Sequence, residues 1–312
     1  MNNHDLLKWA EDYLVENGHT ISKPFEVVRE TPWSKVMRCE SASGWIYLKQ
    51  MAPQFSGEPA LIEFLHKNVT TCMPKVVATN NHCFLVYDAG DPLRDLLKTH
   101  YDTDLATHAL ITYAHIQRAS IKHVDALNTL GVRDWRVAKL SQLYLELIKQ
   151  TELLTAEGLS NTEIENLHNF YPKIYSMCAE LSSYGIPETI DHGDFQDNNL
   201  LIQNNYLTIN DWGDACISHP FFSMVAFLDS AKRNHGLAET DASYVYLQNT
   251  YLDIWLEFAT KSELLQAFSL TKKLRYLLSA LVFERVKKCQ YIEKYPQYHG
   301  LIAKYLRDLL TT

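Results

Sequence analysis

Apolar positions at the front of the chain fall on a two-residue beat, and those beyond Pro92 fall on a helical one. Leu6, Trp9, Tyr13 and Leu14 form one stripe and predict a helix over Asp5–Asn17. Strand-forming runs follow at Phe25–Arg29, Lys35–Cys39 and Trp45–Lys49. In the last of these, Ile46 and Leu48 share one face while Tyr47 and Lys49 share the other. Ser56 is placed to cap a second helix, with Pro59 in its first turn and Leu61, Phe64 and Leu65 facing inward. Lys75–Thr79 and His82–Tyr87 predict a hairpin that turns at Asn80-Asn81. Beyond it the stripes are helical: Ala106, Leu110, Tyr113 and Ile116; then Val137, Leu140, Tyr144 and Leu147; then Leu274, Leu277, Leu278, Leu281 and Val282.

One hairpin interrupts the helical half. Leu200-Leu201-Ile202 is a short apolar run, Asn204-Asn205 suits a turn that needs left-handed backbone, and Tyr206–Ile209 resumes with strand formers. Such a turn brings its end back to its beginning, so Asn199, just before the first strand, and Asp211, just after the second, should be neighbours. Asp194 lies five positions before Asn199, on the loop entering the hairpin.

Phosphoryl transfer needs this grouping. Magnesium takes oxygen ligands, one or two from protein and the rest from water and phosphate. Asn199 and Asp211 offer that pair. Asp194 is placed to orient an acceptor hydroxyl and receive its proton, the role of the catalytic-loop aspartate in protein kinases. A metal site built from His192 and His219 lacks ligand spacing, and His192 reads as a residue that hydrogen-bonds the loop.

The run His192-Gly193-Asp194 with Asn199 resembles the H-G-D-x-x-x-x-N motif of the aminoglycoside phosphotransferase and choline kinase family. Asp211-Trp212-Gly213 resembles that family's metal-binding motif. The resemblance implies an α+β, protein-kinase-like fold of two lobes. A small antiparallel-sheet lobe (1–88) would bind nucleotide, and a mostly helical lobe (89–312) would carry the catalytic loop and acceptor pocket. It implies that Lys49 holds the nucleotide phosphates, that Glu58 pairs with it (Glu63 being the fallback), and that backbone groups near Val86 and Tyr87 meet an adenine edge. Leu201 or Ile209 would floor the adenine. The family's phosphate-covering loop corresponds to Thr31–Lys35, which has no glycine; Ser34 could donate a hydroxyl there instead. Asn210 is polar where the family's strand is apolar.

Composition adds exclusions. The chain has 312 residues, is 46% hydrophobic and 21% charged, and carries a formal net charge of -8. That charge argues against a nucleic-acid surface, which needs clustered Lys and Arg. No run approaches the ~20 apolar residues of a membrane span. Met1–Asp5 lacks a basic segment followed by an apolar core, so no leader is expected, and the six cysteines form no C-x-x-C pair. A cytoplasmic protein with reduced thiols follows.

The expected activity is Mg2+-dependent transfer of the γ-phosphoryl group of ATP or GTP to a small-molecule hydroxyl, an aminoglycoside or amino-alcohol among the candidates. The alternative is a nucleotide-binding pseudokinase that regulates without turnover. For a cationic acceptor, Tyr244, Tyr246, Tyr251, Trp255 and Phe258 are candidates for an aromatic cage, and Asp197, Asp214 and Glu284 for charge partners.

Overall fold

The structure is a computed structural model that describes residues 3–312; Met1 and Asn2, the start of the stretch read as leaderless, lie outside the described residues. Helix α1 (Asn3–Glu16) precedes the strands β1 (Ile21–Glu30), β2 (Ser34–Ser41) and β3 (Gly44–Met51). Helix α2 (Glu58–Asn68), β4 (Val76–Asn80) and β5 (Cys83–Tyr87) follow. The five strands form one antiparallel sheet in the order β1-β2-β3-β5-β4. Alternation sorts its two faces: Met37, Cys39, Ile46, Leu48 and Leu85 pack under Leu6, Ala10 and Leu14 of α1, as the two-residue beat requires. Lys49, opposite Val36 and Phe84 in register, takes the other face.

Two details of this half differ from expectation. Ser56 does not cap α2: its hydroxyl bonds to Pro53 O at 2.8 Å, and Gly57 is the N-cap, with Pro59 still within the first turn. The preceding 3-10 turn, Pro53–Phe55, claims Ser56 first. Glu63 is exposed, whereas Glu58 is buried.

The larger half contains α3 (Leu93–Leu96), α4 (Thr103–Ser120), α5 (Val124–Thr129), α6 (Val137–Ile148) and α7 (Thr151–Ala156). It continues with α8 (Asn161–Ser183), α9 (Phe221–His235), α10 (Ala242–Asp253), α11 (Lys261–Val286) and α12 (Leu301–Leu310). The predicted stripes lie in α4, α6 and α11; their residues, all buried except the half-buried Val282, belong to one core that also takes Met51, Leu61 and Phe84 from the smaller half. Among the described residues no helix is long and apolar enough to cross a membrane.

Short strands thread this half and position the site. β9 (Leu200–Gln203) and β10 (Tyr206–Ile209) form the expected hairpin, with Asn204 and Asn205 both left-handed at φ 50 and 63. β6 (Asp91–Pro92) adds to β9; it follows Gly90, where a Cβ would stand 2.2 Å from Ile202 O. β11 (Cys216–Ser218) runs between β7 (Arg133–Asp134) and β8 (Thr189–Asp191). None of these two- and three-residue strands has a length that periodicity can register. Together β8 and β11 clamp the two ends of the segment that holds Asp194, Asn199 and Asp211.

Candidate active site

The loop from β8 to β9 is held by buried polar contacts. Asp191 Oδ1 accepts from Gly193 N at 2.8 Å, and Oδ2 accepts from Ser223 N and Oγ at 2.9 and 2.7 Å. Burial pushes Asp191 up to about 6, with these bonds pulling the other way. Gly193 is left-handed (φ 77), and a Cβ there would stand 2.2 Å from Asp214 O. His192 Nδ1 accepts from Asp194 N at 3.3 Å, so its proton sits on Nε2, which donates to Asn210 O at 2.9 Å. Burial lowers the pKa of His192, with Asp194 opposing. The imidazole ties loop to hairpin, as expected of a structural histidine.

Asp194 is bonded through both oxygens. Asn199 Nδ2 donates to Oδ2 at 3.0 Å and to Asp194 O at 2.8 Å, and Gln196 Nε2 donates to Oδ1. Gln196 Oε1 in turn accepts from Arg233 Nη2 at 3.0 Å. Asp197 sits beneath, buried, taking Arg94 Nε at 2.8 Å, Ser230 Oγ at 2.7 Å and His235 Nε2 at 2.6 Å. Burial raises its pKa, but these partners outweigh it and hold the carboxylate below its usual range. It fixes the turn that carries Asn199 and is not available to an acceptor.

The hairpin brings Asn199 and Asp211 together as predicted. Ile209 pairs with Leu200, and Asn210 N donates to Asn199 O at 2.8 Å. Asp211 adopts left-handed backbone (φ 64, ψ 61), an uncommon state for a residue with a side chain. Its Oδ1 accepts from Lys49 Nζ at 2.6 Å, and Lys49 lies 2.9 and 2.8 Å from the two oxygens of Glu58. Glu58 Oε1 also accepts from Trp212 N at 3.1 Å, so α2, β3 and the segment after β10 meet at one lysine. Burial disfavours the ammonium of Lys49, yet the two carboxylates overcome this and raise its pKa. Asp211 is the mirror case: burial raises its pKa, and Lys49 brings it below the ordinary value.

Asn199 and Asp211 are hard oxygen donors, and among the described residues no protein donor reaches Asp211 Oδ2. That donor set suits magnesium shared with phosphate oxygens. No group of three or more His, Cys, Asp or Glu among the described residues is arranged to hold a metal by itself.

The remaining nucleotide candidates are spread more widely. Val86 pairs with Tyr47 on the Lys49 face of the sheet. Tyr87 N is bonded to Lys75 O at 3.2 Å, which leaves the Tyr87 carbonyl and the chain beyond it to meet a base edge. Leu201 is half-buried while Ile209 is wholly buried, so only Leu201 could touch a base. Thr31 Oγ1 accepts from Ser34 N at 3.0 Å and lies 3.2 Å from Ser34 Oγ. This hydroxyl-closed turn stands where a glycine loop was absent.

A cavity of about 390 Å³ opens beside Asp194, between the loop and helices α9, α11 and α12. Trp33, Trp135, Phe222, Phe283 and Tyr305 line it, together with Arg233, Arg275 and Lys304. The candidates for an aromatic cage do not form one: Tyr244, Tyr251 and Trp255 are core, Phe258 packs under Arg118, and Tyr246 faces solvent. Helical spacing of aromatics cannot distinguish a cage from a core, and here the core took them. Glu284 bonds to Lys288 at 2.6 Å and Gln150 at 3.3 Å, away from this cavity. Asp214 does line it, but lies 3.1 and 3.8 Å from Arg285 and Arg133. Gln196, Arg233, Arg275 and Lys304 are not legible in the linear sequence, because the cavity walls come from distant segments.

No protein-family model matches the chain, and no curated protein matches it by sequence. Solved structures do match it in three dimensions. The gentamicin–APH(2")-IIa complex is 14% identical, with a TM-score of 0.66 over 100% of this chain and 97% of that one. An ethanolamine kinase from Plasmodium vivax is 11% identical (TM-score 0.62; 99% and 88% covered). A choline kinase from Cryptosporidium parvum is 11% identical (TM-score 0.60; 98% and 95% covered). At these identities the likeness establishes architecture: the chain has the α+β, two-lobed fold of the small-molecule phosphotransferases that its motifs resemble.

Proposed function

We propose that this protein is a magnesium-dependent kinase that transfers the γ-phosphoryl group of ATP or GTP to a hydroxyl of a small molecule. The observation that carries the reading is the junction at Lys49. One lysine bonds both Glu58 and Asp211, while Asn199, whose backbone bonds the residue before Asp211, also bonds Asp194. In this reading residues 1–88 form the nucleotide lobe and 89–312 the catalytic and acceptor lobe.

Phosphoryl transfer is mainly positioning and charge stabilisation. Lys49 would hold the phosphates, fixed by Glu58, and Asn199 and Asp211 would offer the metal its protein oxygens. Magnesium, when bound there, would neutralise charge on the phosphate oxygens. Asp194 would orient the acceptor hydroxyl. The hydroxyl oxygen forms the new bond to phosphorus, its proton passes to Asp194, and the bond to the bridging oxygen breaks with its electrons leaving on the nucleoside diphosphate.

A regulatory, non-catalytic reading draws on the glycine-free Thr31–Ser34 turn alone. Release of ADP or GDP, measured with Mg-ATP and Mg-GTP across an acceptor library, separates the two. Turnover stimulated by one acceptor and lost in Asp194→Ala supports the kinase; binding without stimulated turnover supports the regulator.

A further inference from the structure

The charges around the cavity beside Asp194 say more about what enters it. An aminoglycoside or an amino-alcohol would bring an ammonium group, which a free carboxylate would meet best and which the cations on this cavity wall would repel. Apart from Asp194 itself, the carboxylates lining the cavity are taken. Asp191 is buried and bonded to Ser223 and Gly193, and Asp214 is shared by Arg285 and Arg133.

The cations are in the opposite condition. Arg275 is paired with Asp229. Arg233 and Lys304 line the cavity from α9 and α12, and among the described residues neither has a carboxylate partner. Arg233 bonds only the amide oxygen of Gln196, and Lys304 lies 5.1 Å from the ring of Tyr305. Two cations without a carboxylate partner thus stand at the exposed rim of one cavity. Arg233 is also one glutamine side chain from the base, through Gln196 to Asp194 Oδ1. A hydroxyl at Asp194 and an anion at Arg233 would thus be separated by the span of a short hydroxy acid or a sugar phosphate.

Resting on the kinase reading above, we propose that the phosphoryl acceptor carries an anionic oxygen group, carboxylate or phosphate, that binds Arg233 and Lys304 while its hydroxyl meets Asp194. The apolar wall of Leu278, Val282 and Phe283 would take the body of the molecule. The group stays intact; only the hydroxyl is phosphorylated.

The test uses the full chain with Mg-ATP and four sets of hydroxyl compounds: neutral polyols, amino-alcohols with aminoglycosides, hydroxy acids, and sugar phosphates. The two anionic sets distinguish carboxylate from phosphate recognition. Turnover should be confined to an anionic set. Lys304→Ala, which touches no bond of Asp194, should lower kcat/KM for that acceptor by roughly 10- to 100-fold, the worth of a charge-assisted hydrogen bond, with the loss falling on KM. Lys304→Glu should lower it further. Higher kcat/KM for a neutral or ammonium-bearing acceptor overturns the anionic assignment and leaves the kinase reading standing. So does wild-type activity on the anionic acceptor in Lys304→Glu; ATP hydrolysis that none of the four sets stimulates overturns both readings. No nucleotide turnover of any kind, with water or with any set, overturns both readings.

Discussion

Lys49 lies 2.6 Å from Asp211, 162 residues further along the chain, and among the described residues no other side chain of the smaller half bonds that carboxylate. Because Glu58 shares the same ammonium and is almost wholly enclosed, removing the lysine strands two carboxylates together. Breaking a buried pair of this kind costs on the order of 3 kcal/mol. Lys49→Met should therefore lose that much in a denaturant melt as well as its nucleotide affinity. A variant that keeps full stability would show the three side chains to be independent.

Asp211→Ala separates metal from phosphate contacts. On the proposed reading it removes an oxygen offered to the metal, and it leaves Lys49 with Glu58 alone. Calorimetry should find nucleotide affinity that no longer responds to added magnesium, whereas the parent protein's affinity should rise with it.

Asp194→Ala should spare nucleotide binding and reduce turnover by about 10²- to 10⁴-fold, the usual worth of a positioned base. Its neighbours Asn199 and Gln196 would lose a bonding partner at the cavity edge without a buried charge being left behind. Single-turnover measurement at saturating nucleotide checks it.

These side chains differ in how far they could be read from the linear sequence. Alternation in β3 puts Lys49 on the face opposite Ile46 and Leu48, and the turn at Asn204-Asn205 returns the chain to Asn199, because both are local constraints; the assignment of Lys49 to nucleotide phosphates rests on resemblance. Glu58 was separable from Glu63 only by resemblance, since both sit early in one helix and burial decides between them. The acceptor side was hidden. Arg233, Arg275 and Lys304 come from three helices that meet only in the tertiary fold, and nothing in the period of α9, α11 or α12 says that they face one cavity. Tyr251 and Trp255 failed as a cage for the same reason. Periodicity reports that a face is inward, not what it faces.

Gly193→Ala tests the loop's backbone. The new methyl group would press on Asp214 O, a backbone atom that cannot swing aside, and the left-handed φ adds strain of its own. A stability loss of about 2 kcal/mol or more is expected. Turnover should fall beyond what the unfolded fraction explains, because Asp194 is the next residue. Activity normalised to folded protein by near-ultraviolet dichroism measures the second effect.

Glu188 gives the molecule a pH signature unconnected with catalysis. Its Oε1 accepts from Val137 N at 2.8 Å at the start of α6, while Oε2 is buried with no partner among the described residues. Burial raises its pKa to about 7, against the pull of the Val137 bond and Arg136. The folded pKa lies above the unfolded value of about 4.3, so folding favours the protonated form. This contribution is complete below the unfolded pKa and is lost as pH rises through about 7. Glu188→Gln keeps an acceptor for Val137 and cannot ionise. The variant should match the parent near pH 4 and exceed it at pH 8 by on the order of 2 kcal/mol, read from urea melts across that range. Parallel pH profiles for the two proteins would mean that water reaches Oε2 and the carboxylate ionises freely.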